Sequence, residues 1–185
     1  MGTIVAIIPN AKDFELPNER AESIDRWIAE LGGWGFRSDV IDLREYEDPE
    51  ILHSKLRDYP LVWVLGGNTF MLRSEMRRTG LDKFLKDLVE NGMVYCGESA
   101  GAIVAGSTLE GTETADEPGL ADEIILEGIG LIDKVIVPHA DSADFVEYAT
   151  SMRKKYGESM EVIYINDDQA LAVNDGQQEI VTATG

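Results

Sequence analysis

Met93-Val94-Tyr95-Cys96-Gly97-Glu98-Ser99-Ala100-Gly101-Ala102-Ile103-Val104-Ala105 decides how the rest of the chain is read. Met, Val, Tyr and Cys run together before a glycine, which predicts a short buried strand. Ala100 to Ala105 is small and apolar, suited to a helix packed closely on a sheet. Between them Gly97-Glu98-Ser99-Ala100-Gly101 forms a G-x-S-x-G. Where a strand turns sharply into a helix, this pattern holds a serine in a strained backbone and exposes its Oγ. The flanking glycines are expected because a Cβ would collide with the neighbouring strand or the helix start. Free N–H groups at the helix start would face a developing oxyanion. The competing reading is a tight turn with a packing serine.

Upstream, Leu61-Val62-Trp63-Val64-Leu65 reads as another buried strand and runs into Gly66-Gly67-Asn68-Thr69-Phe70. Asn68 is the expected N-cap of the helix that follows. No Lys-Ser/Thr follows the glycines, so this is no phosphate loop. It fits a second oxyanion donor, since a nucleophile elbow needs an N–H from another βα loop. Thr3 to Ile8 is a β-branched run typical of a central parallel strand, and no G-x-G-x-x-G follows it. A helix from Pro17 to the Gly32-Gly33 stop, a strand from Phe36 to Leu43 and a shorter helix from Pro49 to about Tyr59 come next. Phe84, Leu85, Leu88 and Val89 mark an amphipathic helix from Leu81. The alternation of strands and helices implies a mostly parallel sheet covered by helices on both faces. Lys134 to Val137 and Val162 to Ile165 are further strands, with a helix from about Ser142 between them. Gln169 to Val173 and Gln178 to Ala183 flank Asn174-Asp175-Gly176, a hairpin that is expected to complete the sheet with an antiparallel edge.

The chain has 185 residues, 44% of them hydrophobic, and a net charge of −19. That suits one domain spanning residues 1–185 and argues against nucleic acid or an anionic membrane surface as partner. One cysteine, Cys96, cannot form an internal disulfide. With no signal-peptide pattern and no apolar run of membrane-spanning length, the expected location is cytoplasmic. The partner expected is a small substrate; the chain itself would be a monomer or homodimer.

A serine nucleophile needs a base, usually histidine. The chain offers His53 and His139. His53 shares a helix whose apolar face is taken by Ile51, Leu52 and Leu56, so a solvated surface position is expected. His139 follows a strand, at the rim where catalytic loops of open α/β sheets gather. Candidates for the orienting acid are Asp116, Asp141, Asp144, Asp167 and Asp168. Asp141 is close to His139 but more naturally caps the nearby helix. Asp167 and Asp168 follow a strand, and a rigid strand end positions an imidazole better than a loop does; the residues alone leave the two open. The α/β-hydrolases run Ser, acid, His, whereas here a strand-borne acid follows His139. That order, and the short chain, weaken an esterase or lipase reading with Asp116 or Asp133 as acid. A non-catalytic binding protein is the rival from another class. Two distant histidines and no cysteine cluster give no zinc pattern, and no cofactor is expected.

With Leu65-Gly66-Gly67-Asn68-Thr69-Phe70, Gly97-Glu98-Ser99-Ala100-Gly101, Val137-Pro138-His139 and Asp167-Asp168-Gln169-Ala170 in this order, the sequence resembles the peptidase E family (serine peptidase family S51). These are serine dipeptidases related to cyanophycinases, on a scaffold like that of class I glutamine amidotransferases. The resemblance implies an α/β three-layer sandwich, with Ser99 as nucleophile, His139 as base and Asp167 as the acid. It also implies an oxyanion hole from the Gly67 and Ala100 N–H groups. An older family assignment of the acid would fall on Asp116. Two departures stand out. Glu98 replaces the tryptophan of the best-known members. The family's dipeptidases prefer an N-terminal aspartate, which requires a cation in the pocket, yet Asp141 and Asp144 follow His139 and Arg153 comes only later. An acidic rim would instead suit a substrate's free α-amine. Cys96 lies outside the elbow position that cysteine holds in the related amidotransferases, and reads as a small residue of the strand.

Overall fold

The computed structural model describes residues 2–157 and 161–183. Four parallel strands, β1 (Ile4–Ile8), β2 (Arg37–Val40), β3 (Leu61–Val64) and β4 (Val94–Gly97), form a sheet in the order β2-β1-β3-β4. β1 is paired on both edges, and Val5, Ala6, Ile7 and Ile8 are fully buried, as its unbroken apolar run requires. The connecting helices are α1 (Pro17–Gly33), α2 (Pro49–Leu56), α3 (Thr69–Arg78) and α4 (Leu81–Glu90). α1 lays Ile24 and Leu31 over Val5 and Ile7 on one face of the sheet. On the other face Ala6, Ile8, Val62 and Val64 meet Leu52, Leu72, Met76 and Leu85 from α2, α3 and α4. Alternating side chains along each strand thus feed two separate helical layers.

Beyond β4 comes α5 (Ala100–Ala105), then a long excursion to β5 (Val135–Val137), α6 (Val146–Tyr156) and β6 (Val162–Tyr164). β5 and β6 pair in parallel, Val137 opposite Tyr164. This pair is tied to the end of α5 through Ser107 N–H to the Lys134 carbonyl (2.8 Å) and Ile132 N–H to the Ala105 carbonyl (3.2 Å). Because β5 pairs with β6, β4 remains the hydrogen-bonded edge of the four-stranded sheet. Its Val94 is 52% exposed, so the expectation of a buried strand there holds only in part.

β7 (Gln169–Asn174) and β8 (Gln177–Thr182) form the expected hairpin. Asp175 (φ 47°) and Gly176 (φ 76°) supply the two positive φ values that a type I′ turn needs. Among the described residues the hairpin pairs only with itself and does not extend either parallel sheet. The turn closed by Gln169 N–H on the Asn166 carbonyl (3.0 Å) redirects the chain where β6 ends. Val173, Ile180 and Val181 are consequently exposed. No helix among the described residues is long and apolar enough to cross a membrane.

The elbow glycines behave as their pattern demands. A Cβ on Gly97 would lie 2.4 Å from the Gly101 carbonyl oxygen, and one on Gly101 would lie 2.4 Å from the Val64 carbonyl oxygen of β3. Helix start and neighbouring strand are the two obstacles. Gly101→Ala should cost about 1–3 kcal/mol through this overpacking. Gly32→Ala, where a Cβ meets nothing within 4 Å, should be neutral or stabilise by about 0.5–1 kcal/mol. Urea midpoints of the two variants against wild type check the contrast.

Candidate active site

Ser99 is the residue between β4 and α5, with φ 47° and ψ −106°. A positive φ is uncommon for a non-glycine residue and stores strain. The register explains what surrounds it. Val64 of β3 pairs with Gly97 of β4, so the residues two places beyond each, Gly66 and Ser99, stand side by side. A Cβ on Gly66 would come within 3.0 Å of the Ser99 Cβ.

The β5–β6 pair delivers the other two groups in the same way. His139 follows Val137-Pro138, and Asp167 follows the paired strand end; Ile165 N–H donates to the Val137 carbonyl (2.9 Å) and Ala140 N–H to the Ile165 carbonyl (3.0 Å). His139 Nε2 lies 2.9 Å from Ser99 Oγ, and its Nδ1 lies 2.5 Å from Asp167 Oδ1. With the Asp167 carboxylate accepting from Nδ1–H, Nε2 is left as the acceptor for the serine hydroxyl. Like Ser99, His139 has a positive φ (57°). Phe145 stacks on its ring at 4.5 Å between centroids and 22° between planes, holding the imidazole plane from the side. The Asp167 side chain is 58% exposed, whereas His139 is 27% exposed.

The remaining acids divide clearly. Asp116 Oδ2 accepts from Thr69 N–H (2.9 Å) and Thr69 Oγ1 (2.5 Å), closing the start of α3. Burial pushes its carboxyl up, against the Thr69 hydrogen bonds and the proximity of His139, which pull it down. Asp141 does not cap the following helix; its Oδ1 accepts from Asp167 N–H at 3.3 Å and so supports the strand-end acid. Asp168 is exposed, and its carbonyl accepts the Ala183 N–H at 2.7 Å. His53 is away from this group, half-buried with its ring edge-on to Phe84 at 5.0 Å. Cys96 is half-buried in β4, with its thiol pushed up by burial. Sequence reasoning missed Phe145, Thr69 and the supporting role of Asp141. Only Asp141 carried a signal, its closeness to His139 in the chain.

The Gly66-Gly67-Asn68 turn completes the group. Asn68 caps α3 as expected, its Oδ1 accepting from Met71 N–H at 2.9 Å. Gly67 has φ 142°, and a Cβ there would lie 2.2 Å from the Ala11 carbonyl oxygen. That carbonyl accepts the Asn68 N–H at 2.7 Å, whereas the Gly67 and Ala100 N–H groups have no hydrogen-bond partner among the described residues.

A family model described as peptidase family S51 matches residues 2–181. The chain belongs to this family. It is 28% identical over 182 residues to an uncharacterized peptidase of Listeria innocua, covering 98% of this chain and 84% of the relative. It is 35% identical over 101 residues to a peptidase E of Streptomyces coelicolor, a match spanning 55% of this chain and 39% of that protein. Its fold superposes on the crystal structure of a Listeria monocytogenes protein provisionally described as a peptidase E. That match has a TM-score of 0.86 at 25% identity and covers 100% of this chain and 88% of the other. The parallel sheet with flanking helices and the C-terminal hairpin are therefore those of a peptidase E fold, and family membership supports a peptidase.

The backbone at Ser99 generates a stability test. Glycine adopts φ 47° freely, so Ser99→Gly should be more stable than Ser99→Ala by about 1 kcal/mol or more, although glycine is normally the costlier residue. Thermal or urea unfolding of both variants measures the difference.

Proposed function

We propose that this S51 member is a serine peptidase that hydrolyses dipeptides or short peptides in one catalytic domain. The single observation carrying the reading is the continuous line of hydrogen bonds from Ser99 Oγ through both His139 nitrogens to Asp167. Ser99 attacks the peptide carbonyl while His139 takes its proton at Nε2. The same nitrogen then returns the proton to the leaving amine, and water repeats the cycle on the acyl-enzyme. Asp167 holds the imidazole in the tautomer that leaves Nε2 free and stabilises the imidazolium as it forms. The Gly67 and Ala100 N–H groups receive the oxyanion, each worth about 3 kcal/mol in the transition state.

The surroundings favour a substrate with a free α-amine over one with an acidic N-terminal side chain. Asp116, Asp141 and Asp167 adjoin or hydrogen-bond to elements of the site, and among the described residues no Lys or Arg pairs with any of them. An ammonium group would meet attraction there and a carboxylate repulsion.

A small organophosphorus reagent should label Ser99 and no other residue, and Ser99→Ala should abolish both labelling and hydrolysis. Unlabelled wild type, or hydrolysis that survives Ser99→Ala, overturns the reading. Asp167→Asn should lower kcat by roughly a hundredfold or more, and Asp116→Asn, which leaves the His139 contact intact, by far less. A dipeptide panel should show no preference for N-terminal Asp, with turnover lost when the α-amine is acetylated.

A further inference from the structure

Glu98 is the residue of the elbow that the mechanism above leaves without a task. Its N–H donates to the Val64 carbonyl at 2.9 Å, which fixes its backbone to the end of β3. Its side chain then reaches across to the neighbouring loop, where Oε2 accepts the Gly66 N–H at 3.0 Å. The turn it grips has three successive N–H groups. The first, on Gly66, is taken by Glu98; the third, on Asn68, is taken by the Ala11 carbonyl at 2.7 Å. The middle one, on Gly67, has no hydrogen-bond partner among the described residues. Both bonds must hold for that group to keep its direction. Gly67 has no side chain to pack, and its φ of 142° lies where glycine moves easily. A carboxylate acceptor makes a charge-assisted bond, stronger than a neutral one. Glu98 therefore stiffens a peptide that has little else to stiffen it.

We propose that Glu98 is a positioning residue, which clamps the Gly66 N–H so that the adjacent Gly67 N–H is preorganised as an oxyanion donor. The proposal rests on the serine-peptidase reading for its catalytic consequence, though the clamp itself does not. A substrate-binding role for the same carboxylate would act differently, because it would need the charge and would be felt in KM. The clamp needs only an acceptor oxygen, which glutamine also offers.

The test compares wild type, Glu98→Gln and Glu98→Ala by kcat and KM on the best-cleaved dipeptide, and by amide hydrogen exchange at Gly66 and Gly67. Misdirecting one donor should cost Glu98→Ala about tenfold or more in kcat, with KM changed by less than about twofold. Glu98→Gln should restore kcat to within about threefold of wild type. Exchange at Gly66 should quicken in Glu98→Ala and stay near wild type in Glu98→Gln. Wild-type kcat together with wild-type exchange in Glu98→Ala overturns the proposal. So does an equal rise of KM in both variants at unchanged kcat, which would make the carboxylate a substrate contact. Should wild type hydrolyse nothing and Ser99 resist labelling, the serine-peptidase reading falls on its own. The exchange comparison then still decides the clamp: faster Gly66 exchange in Glu98→Ala upholds it, unchanged exchange refutes it.

Discussion

The close approach of α5 to β3 is the constraint on which the site depends. With the Gly101 backbone against the Val64 carbonyl and the Gly97 backbone against Gly101, the chain has no room to leave β4 gradually. It must turn within Ser99, and the unusual φ of that residue is the geometric cost of the turn. Everything nearby follows from this. Ser99 is thrust up beside Gly66, Ala100 begins the short helix, and Ile103 and Val104 are carried into the core. Strain at the serine is thus balanced by burial of the short helix behind it.

A second constraint acts from the other sheet. β5 and β6 run parallel with Val137 opposite Tyr164, so their following loops emerge together. One loop supplies His139 and the other Asp167, and the Ala140 and Ile165 backbones lock the two loops to each other. The imidazole is then fixed on three sides: by Asp167 at Nδ1, by Ser99 at Nε2 and by the face of Phe145. The serine and its partners come from separately hydrogen-bonded sheets joined through α5, so their mutual distance is set by core packing rather than by strand pairing.

Much of this was legible in the sequence because the deciding signals are local. The G-x-S-x-G reports on backbone clearance, and a missing Cβ at Gly97 or Gly101 can be read without coordinates. The Asp175-Gly176 turn and the Asn68 cap are equally local. Residues alone could not separate Asp167 from Asp168, because the choice turns on which side of a strand end faces His139; the resemblance made the choice instead. The edge position of β4 and the detachment of the hairpin were hidden for a related reason. Apolar runs announce that a strand exists, but not which strand lies beside it. Nothing in the position of Phe145 along the chain foretold its stacking contact with the His139 ring from a neighbouring loop.

The donors at Gly67 and Ala100 belong to the main chain, and this divides the neighbourhood by how freely it can drift. No side-chain replacement can remove those N–H groups outright, short of proline. Any side chain at position 67 would intrude, since the Ala11 carbonyl already fills the place of a Cβ. Around this main-chain framework the surface residues are comparatively free to change. On the proposed serine-peptidase reading, selectivity for one peptide over another can therefore be rewritten at the rim while these two main-chain N–H groups stay as they are.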